Sequence, residues 1–218
     1  MNNSKLNASV EACEYIKSKI EPESIIGIGT GSTVNYFIDE LAKLKHLFKG
    51  AVSSSEDSTL LLTKYGIEIF ELNDVNEILF YVDGADEVDP SYNLIKGGGG
   101  AHTMEKIVAS ASNEFVCIVD PSKLVDKLGA FPLPVEVLIK SRSFVAREIV
   151  KLGGVPKLRV NFITDQGNHI LDIKGLNIAN PEDLEKKINL IPGVLDNGIF
   201  ANCKPNKVIV GGGAKGAD

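Results

Sequence analysis

Four short apolar runs, each cut off by small and polar residues, constrain this chain more than anything else in it. Ile25–Ile28 runs into Gly29-Thr30-Gly31-Ser32-Thr33, and Ala51-Val52 into Ser53-Ser54-Ser55. Ile78–Val82 ends at Asp83-Gly84-Ala85-Asp86-Glu87, and Phe115–Val119 at Asp120-Pro121-Ser122-Lys123. Runs this short and this apolar read as strands buried on both faces. Helical patterns lie between them: Val34, Phe37, Ile38 and Leu41 follow the i, i+3, i+4, i+7 spacing of one helix face. The resulting β-α-β-α rhythm predicts a parallel, doubly wound α/β sheet. In such sheets ligands bind beyond the carboxyl ends of the strands. The residues that terminate the runs are therefore the ones to examine for chemistry.

The rest of the chain is read in the same way. Residues 8–20 predict an amphipathic helix ended by Pro22, and Ile67–Leu72 a further strand. Near residue 130 the texture changes at Pro132-Leu133-Pro134. Strand Val135–Ile139 follows, then a helix through Phe144, Val145, Ile149 and Leu152 that stops at Gly153-Gly154. Strands Lys157–Ile163 and His169–Ile173 flank the polar turn Asp165-Gln166-Gly167-Asn168. Pro181 opens a last helix, and strands near Gly198–Ala201 and Lys207–Val210 close the chain. The order β-α-β-β-α-β predicts a ferredoxin-like α+β domain. Its bounds are read as 131–205, within a first domain of 1–130 plus 206–218.

Composition removes several classes of function. The 218 residues are 44% apolar and 24% charged, as in ordinary globular chains, and a net charge of −6 argues against a broad nucleic-acid surface. No apolar run reaches the roughly 20 residues needed to span a bilayer. The polar N-terminus lacks the order of a secretory signal, and Cys13, Cys117 and Cys203 read as reduced thiols. A cytoplasmic protein is the expectation. His46, His102 and His169 are equally scattered, so no metal site is predicted.

The strand-end motifs carry the chemistry. Gly27-Ile28-Gly29-Thr30-Gly31-Ser32 is neither a dinucleotide fingerprint, since Ser32 or Val34 stands where the third glycine is needed, nor a P-loop. It suits one phosphate or sugar hydroxyl at a helix N-terminus, or equally a tight turn with a Ser or Thr cap. Ser53–Ser55 reads as a cap, and Lys123 as a surface lysine or a ligand contact. Asp83 and Asp86 are turn residues or acid/base groups, whereas Glu87 and Asp89 read as solvated. Lys96 precedes Gly97-Gly98-Gly99-Gly100, and glycine's backbone cost implies close approach of the main chain to something. Glu105 lies one turn into the helix that follows, as a dipole partner or a base. Together these groups suggest acid/base chemistry on a phosphorylated small molecule.

Along nearly its whole length the chain resembles ribose-5-phosphate isomerase of the A type. The matching segments are GIGTGSTV at 27–34, AVSSSE at 51–56, DGADEVD at 83–89, KGGGGA at 96–101, EKIV at 105–108, DPSKLV at 120–125, FPLPVEV at 131–137 and DNGIFA at 196–201. The resemblance implies a Rossmann-like parallel-sheet domain with an inserted ferredoxin-like α+β small domain. It also implies interconversion of D-ribose 5-phosphate and D-ribulose 5-phosphate in the pentose phosphate pathway, with no cofactor, in a homodimer. Glu105 matches the family's general base, and Asp83, Asp86 and Lys96 its active-site polar groups. Thr30, Gly31, Ser32, Thr33, Gly84, Ala85, Gly97, Gly98, Gly99 and Lys123 match substrate contacts. Against the family's habit, His102 stands where leucine is common and Met104 where arginine is common. An amino-sugar phosphate deaminase, with His102 as its histidine, is the rival enzyme, as is a coenzyme A transferase. A non-catalytic sugar-phosphate sensor is the rival outside enzymes.

Overall fold

The structure is a computed structural model and describes residues 2–212; 213–218, the end of the segment assigned above to the first domain, lie outside it together with Met1. In chain order the elements are α1 (Asn2–Lys17), β1 (Ile25–Ile28), α2 (Ser32–Leu41), β2 (Gly50–Ser53), α3 (Glu56–Lys64), β3 (Ile78–Asp83), β4 (Glu87–Val88), β5 (Leu94–Ile95) and α4 (His102–Ser110). They continue with β6 (Ser112–Val119), β7 (Leu133–Val137), α5 (Arg142–Lys151), β8 (Val155–Leu158), β9 (His169–Lys174), α6 (Pro181–Asn189), β10 (Val194–Asn197), β11 (Ile199–Phe200) and β12 (Lys207–Val210). Contacts gather these into two compact units. One holds the chain up to Gly84, Ile107–Lys123 and the chain from Pro205 on; the other holds Ala85–Lys106 and Leu124–Lys204.

The first unit is built on a five-stranded parallel sheet in the order β12-β6-β3-β1-β2. The apolar runs form its strands because they are buried on both faces, as their composition requires: β1 is buried at every position and β3 at all but one. Val34, Phe37, Ile38 and Leu41 of α2 and Ala8, Ala12 and Ile16 of α1 face this sheet in one core with Ile26, Phe80, Val82 and Val116. The chain goes from β1 to β2 on one side and then to β3 on the other. The sheet therefore has its topological switch between β1 and β3, the place where open α/β sheets leave a crevice at the strand ends. The closing strand β12 joins the same sheet in parallel beside β6.

The second unit contains an antiparallel sheet in the order β10-β7-β9-β8 with α5 and α6, which is the ferredoxin-like β-α-β-β-α-β arrangement. Val135, Val137, Val145, Ile149, Leu171, Ile173 and Ile188 form its core. A separate three-stranded sheet, β11-β5-β4, carries the residues just before the glycine run.

Two strand expectations need correction. Ile67–Leu72 is not a strand: Ile69 makes only an isolated bridge to Ala51, and the chain turns into a 3₁₀ helix at Leu72–Asp74. The strand expected at Lys157–Ile163 is Val155–Leu158, because Asn161 adopts a left-handed φ of 55° and turns the chain. Strand β10 was not anticipated; its alternation is broken by a register irregularity between Val194 and Asp196.

Candidate active site

In the first unit the ends of β1 and β3 meet. The Thr30 N–H donates to Asp83 Oδ1 at 3.1 Å, the Gly84 N–H donates to the same oxygen at 2.7 Å, and the Tyr81 hydroxyl donates to Oδ2. Asp83 is fully buried, so these donors replace the water it would otherwise hold. The approach explains a glycine: a Cβ on Gly29 would sit 1.9 Å from Asp83 Cγ. Ser58 Oγ donates to the Gly29 carbonyl at 2.7 Å, and Ser55 Oγ to Thr30 Oγ1 at 3.0 Å. The Ser53–Ser55 run thus caps α3 through Ser55 and braces the β1 loop as well.

Gly31 is the N-cap of α2, at φ 108° and with no side-chain cap. The Ser or Thr cap offered by the tight-turn alternative is not what the loop uses. Half-buried Thr30 and Thr33, with exposed Gly31 and Ser32, surround the first-turn N–H groups, an arrangement suited to an anion. A cation stands beside it that sequence reasoning missed: Lys5 Nζ donates to Ser32 Oγ at 2.8 Å. Nothing local marks Lys5, since it is one lysine on the first helix and only the tertiary fold carries it to the loop. Asp120 senses both neighbouring lysines. Burial would raise its carboxyl, but hydrogen bonds from Ser122 and the charges of Lys123 and Lys5 leave it below its ordinary value.

In the second unit Lys96 and Glu105 are brought together. Their Nζ and Oε2 lie 3.1 Å apart and both side chains are 3% exposed, so this is a buried ion pair. Asp86 is half-buried and accepts the Gly98 N–H at 2.8 Å. The glycine run is needed for conformation and for space. Gly97 and Gly100 have φ of 101° and 86°, and a Cβ on Gly98 would lie 2.8 Å from Asp86 Oδ1. Arg159, paired with Asp172, donates to the Gly97 and Gly98 carbonyls at 3.2 Å and holds the run from outside. Gly99 is exposed and Ala85 half-buried.

Glu87 corrects its expectation. It is 3% exposed, not solvated, and accepts the N–H groups of Gly129 and Phe131, a turn on which local sequence gives no hint. Asp89 is half-buried and closes a turn by accepting from Ser91 and Asn93. His102 is fully buried. Burial first, then the charge of Lys106, pushes its pKa down to about 3, so it stays a neutral ring, with Nε2 3.4 Å from the Asp196 carbonyl. Among the described residues no three His, Cys, Asp or Glu side chains are grouped to hold a metal.

The chain has close relatives in sequence and in fold. The sequence model of ribose 5-phosphate isomerase A (phosphoriboisomerase A) matches residues 50–215. The chain is 54% identical over 213 residues to ribose-5-phosphate isomerase A of Stenotrophomonas maltophilia, covering 97% of each protein. The crystal structure of ribose 5 phosphate isomerase A from Neisseria gonorrhoeae superposes with a TM-score of 0.91 at 50% identity, covering 95% of this chain and 92% of that one. A D-ribose-5-phosphate isomerase solved in complex with phospho-erythronic acid superposes with a TM-score of 0.90 at 40% identity, covering 96% and 94%.

Proposed function

We infer residue roles from one premise: the chain belongs to the ribose-5-phosphate isomerase A family, and it interconverts D-ribose 5-phosphate and D-ribulose 5-phosphate. The reaction moves a proton from C2 of the open-chain aldose to C1 through an enediolate. It needs one base that reaches both carbons and a cation or donor for the oxygen that becomes negative.

Glu105 is the base and Lys96 the oxyanion partner. The observation that carries this is their 3.1 Å ion pair at 3% exposure. Glu105 removes the C2 proton, and the electron pair moves through C1 to O1, beside the Lys96 ammonium. A proton passes from O2 to O1, and protonated Glu105 returns its proton to C1. Both groups are in place before substrate arrives, which lowers the reorganisation the reaction requires. Asp86, half-buried and accepting the Gly98 N–H, suits ring opening or the O2-to-O1 transfer better than Asp83, which holds the β1 and β3 strand ends.

Thr30, Gly31, Ser32 and Thr33 bind the phosphate, with Lys123 and Lys5 supplying positive charge in a protein of net charge −6. Gly84, Ala85, Gly97, Gly98 and Gly99 contact the sugar through their backbone. The relative solved with phospho-erythronic acid supports this division, because that ligand carries one carboxylate and one phosphate. We also propose a cytoplasmic homodimer. The three free cysteines support the compartment, and the exposed Val155, Val160 and Leu190 support an interface to be tested by light scattering.

The decisive experiment is Glu105→Gln. It should lose some stability yet remain folded and bind ribose 5-phosphate, and lose at least about 10²-fold in kcat, the low end for a general base. Turnover close to the unsubstituted protein's would overturn the assignment.

A further inference from the structure

Helix α4 starts one residue, Ala101, after Gly97–Gly100, and a glycine run does not fix the rotation of the helix that follows it. The direction in which Glu105 points must be set by something else. The next residue, Lys106, projects about 100° around the helix from Glu105. Its ammonium is held by three oxygens: Asp196 Oδ1 at 2.8 Å, the Asn197 carbonyl at 2.8 Å and Glu185 Oε1 at 2.9 Å. His102, one turn earlier, approaches the Asp196 carbonyl at 3.4 Å. The first turn of α4 is therefore tied to one short segment, Asp196–Asn197.

The next residue along, Gly198, grips Lys96. The Gly198 carbonyl accepts the Lys96 N–H at 2.8 Å, and a Cβ on Gly198 would come within 2.2 Å of the Lys96 carbonyl oxygen. The segment is itself rigidly held. Asn189 Nδ2 and the Asn197 N–H donate to Asp196, and Asn197 Nδ2 donates to the Glu185 carbonyl. Glu185 in turn accepts the N–H groups of Ala201 and Asn202. Burial alone would raise the Glu185 carboxyl, yet Lys106 and these donors lower it, which marks an ionised, fully engaged group.

We propose that Lys106 is a positioning residue for the isomerisation: by locking α4 to the segment next to Gly198, which holds Lys96, it fixes the distance between Glu105 and Lys96. This rests on the reading of Glu105 as the base. Lys106 has no contact with substrate in this account. Its effect falls on the rate of proton transfer, since small displacements of a base cost on the order of 10²-fold in rate while leaving binding nearly intact.

The test measures steady-state kinetics with ribose 5-phosphate for Lys106→Met and Lys106→Arg, each alone and combined with Glu105→Gln. Lys106→Met leaves two buried carboxylates without their cation. If it does not fold, the triple variant Lys106→Met/Glu185→Gln/Asp196→Asn removes the charges together and serves in its place. The expected result is a kcat loss of about tenfold or more, a KM within about threefold, partial rescue by Arg, and little further loss in the Glu105→Gln background, as for residues that act as a unit. Unchanged kcat, a loss confined to KM, or losses that multiply with those of Glu105→Gln would overturn the proposal. Near-normal turnover in Glu105→Gln alone would instead overturn the base assignment, a separate and recognisable failure.

Discussion

The Lys96 ammonium and the Glu105 carboxylate lie 3.1 Å apart with both side chains 3% exposed, although one residue precedes the glycine run and the other sits in the helix after it. Removing either charge from a buried pair is costly, because the one that stays has been taken out of water and loses its counter-charge. The reaction that the pair serves is what makes such a costly arrangement worth keeping.

Replacing Lys96 by alanine should reduce kcat more than apparent substrate affinity, because an oxyanion contact acts chiefly in the transition state. Steady-state kinetics on the purified variant check this. A change confined to KM would make Lys96 a ground-state anchor.

A phosphorylated five-carbon aldonate should bind competitively and more tightly than substrate, its carboxylate imitating the two oxygens of the enediolate. Calorimetry should find its affinity lowered in Lys96→Ala and held or raised in Glu105→Gln, where a like charge beside the carboxylate is gone. Equal weakening in both variants would end the division of roles between the two residues.

Gly29→Ala should destabilise the protein by about 1–3 kcal/mol, the usual cost of overpacking, because its methyl would fall 1.9 Å from Asp83 Cγ. The strand ends would have to part, so substrate affinity should fall as well. Denaturant unfolding together with KM tests this, and a variant matching the parent in both would show that the β1 loop yields freely.

His102→Leu should make stability less sensitive to acid. The ring has its ordinary pKa of about 6.5 when unfolded, and burial pushes it down to about 3 when folded, so between those limits the unfolded chain binds more protons. Stability is therefore intact above about pH 6.5 and is lost as pH falls towards 3, with a slope of up to about 1.4 kcal/mol per pH unit from this group. Urea unfolding at pH values of about 4 to 7 should show a shallower slope in the variant. An unchanged slope would mean that the buried ring does not remain neutral.

Much of the parallel sheet was legible because buried strands write themselves as apolar runs: Ile25–Ile28 and Ile78–Val82 needed no partner to be recognised. The ends of those runs pointed to Thr30 and Asp83 for the same reason. The facts that escaped all depend on distant chain. Lys5 reaches Ser32 only because α1 packs beside α2, and Glu87 is buried only because the 129–131 turn comes to it. Nothing in the local sequence marks Lys106, since the carboxylates that bury it, Glu185 and Asp196, lie in α6 and β10. Ile67–Leu72 misled in the opposite direction: its alternation fits a strand, but only Ile69 bridges to a neighbouring strand.

The bond from the Lys96 N–H to the Gly198 carbonyl, with Ile95 paired to Ile199, spans about a hundred residues of chain. During synthesis Lys96 and Glu105 leave the ribosome long before the segment that orients them exists. The contacts that hold the Lys96 backbone therefore form only once the chain has been made past Gly198. A chain ending before Asp196 would lack both the Gly198 carbonyl that accepts the Lys96 N–H and the carboxylate beside Lys106.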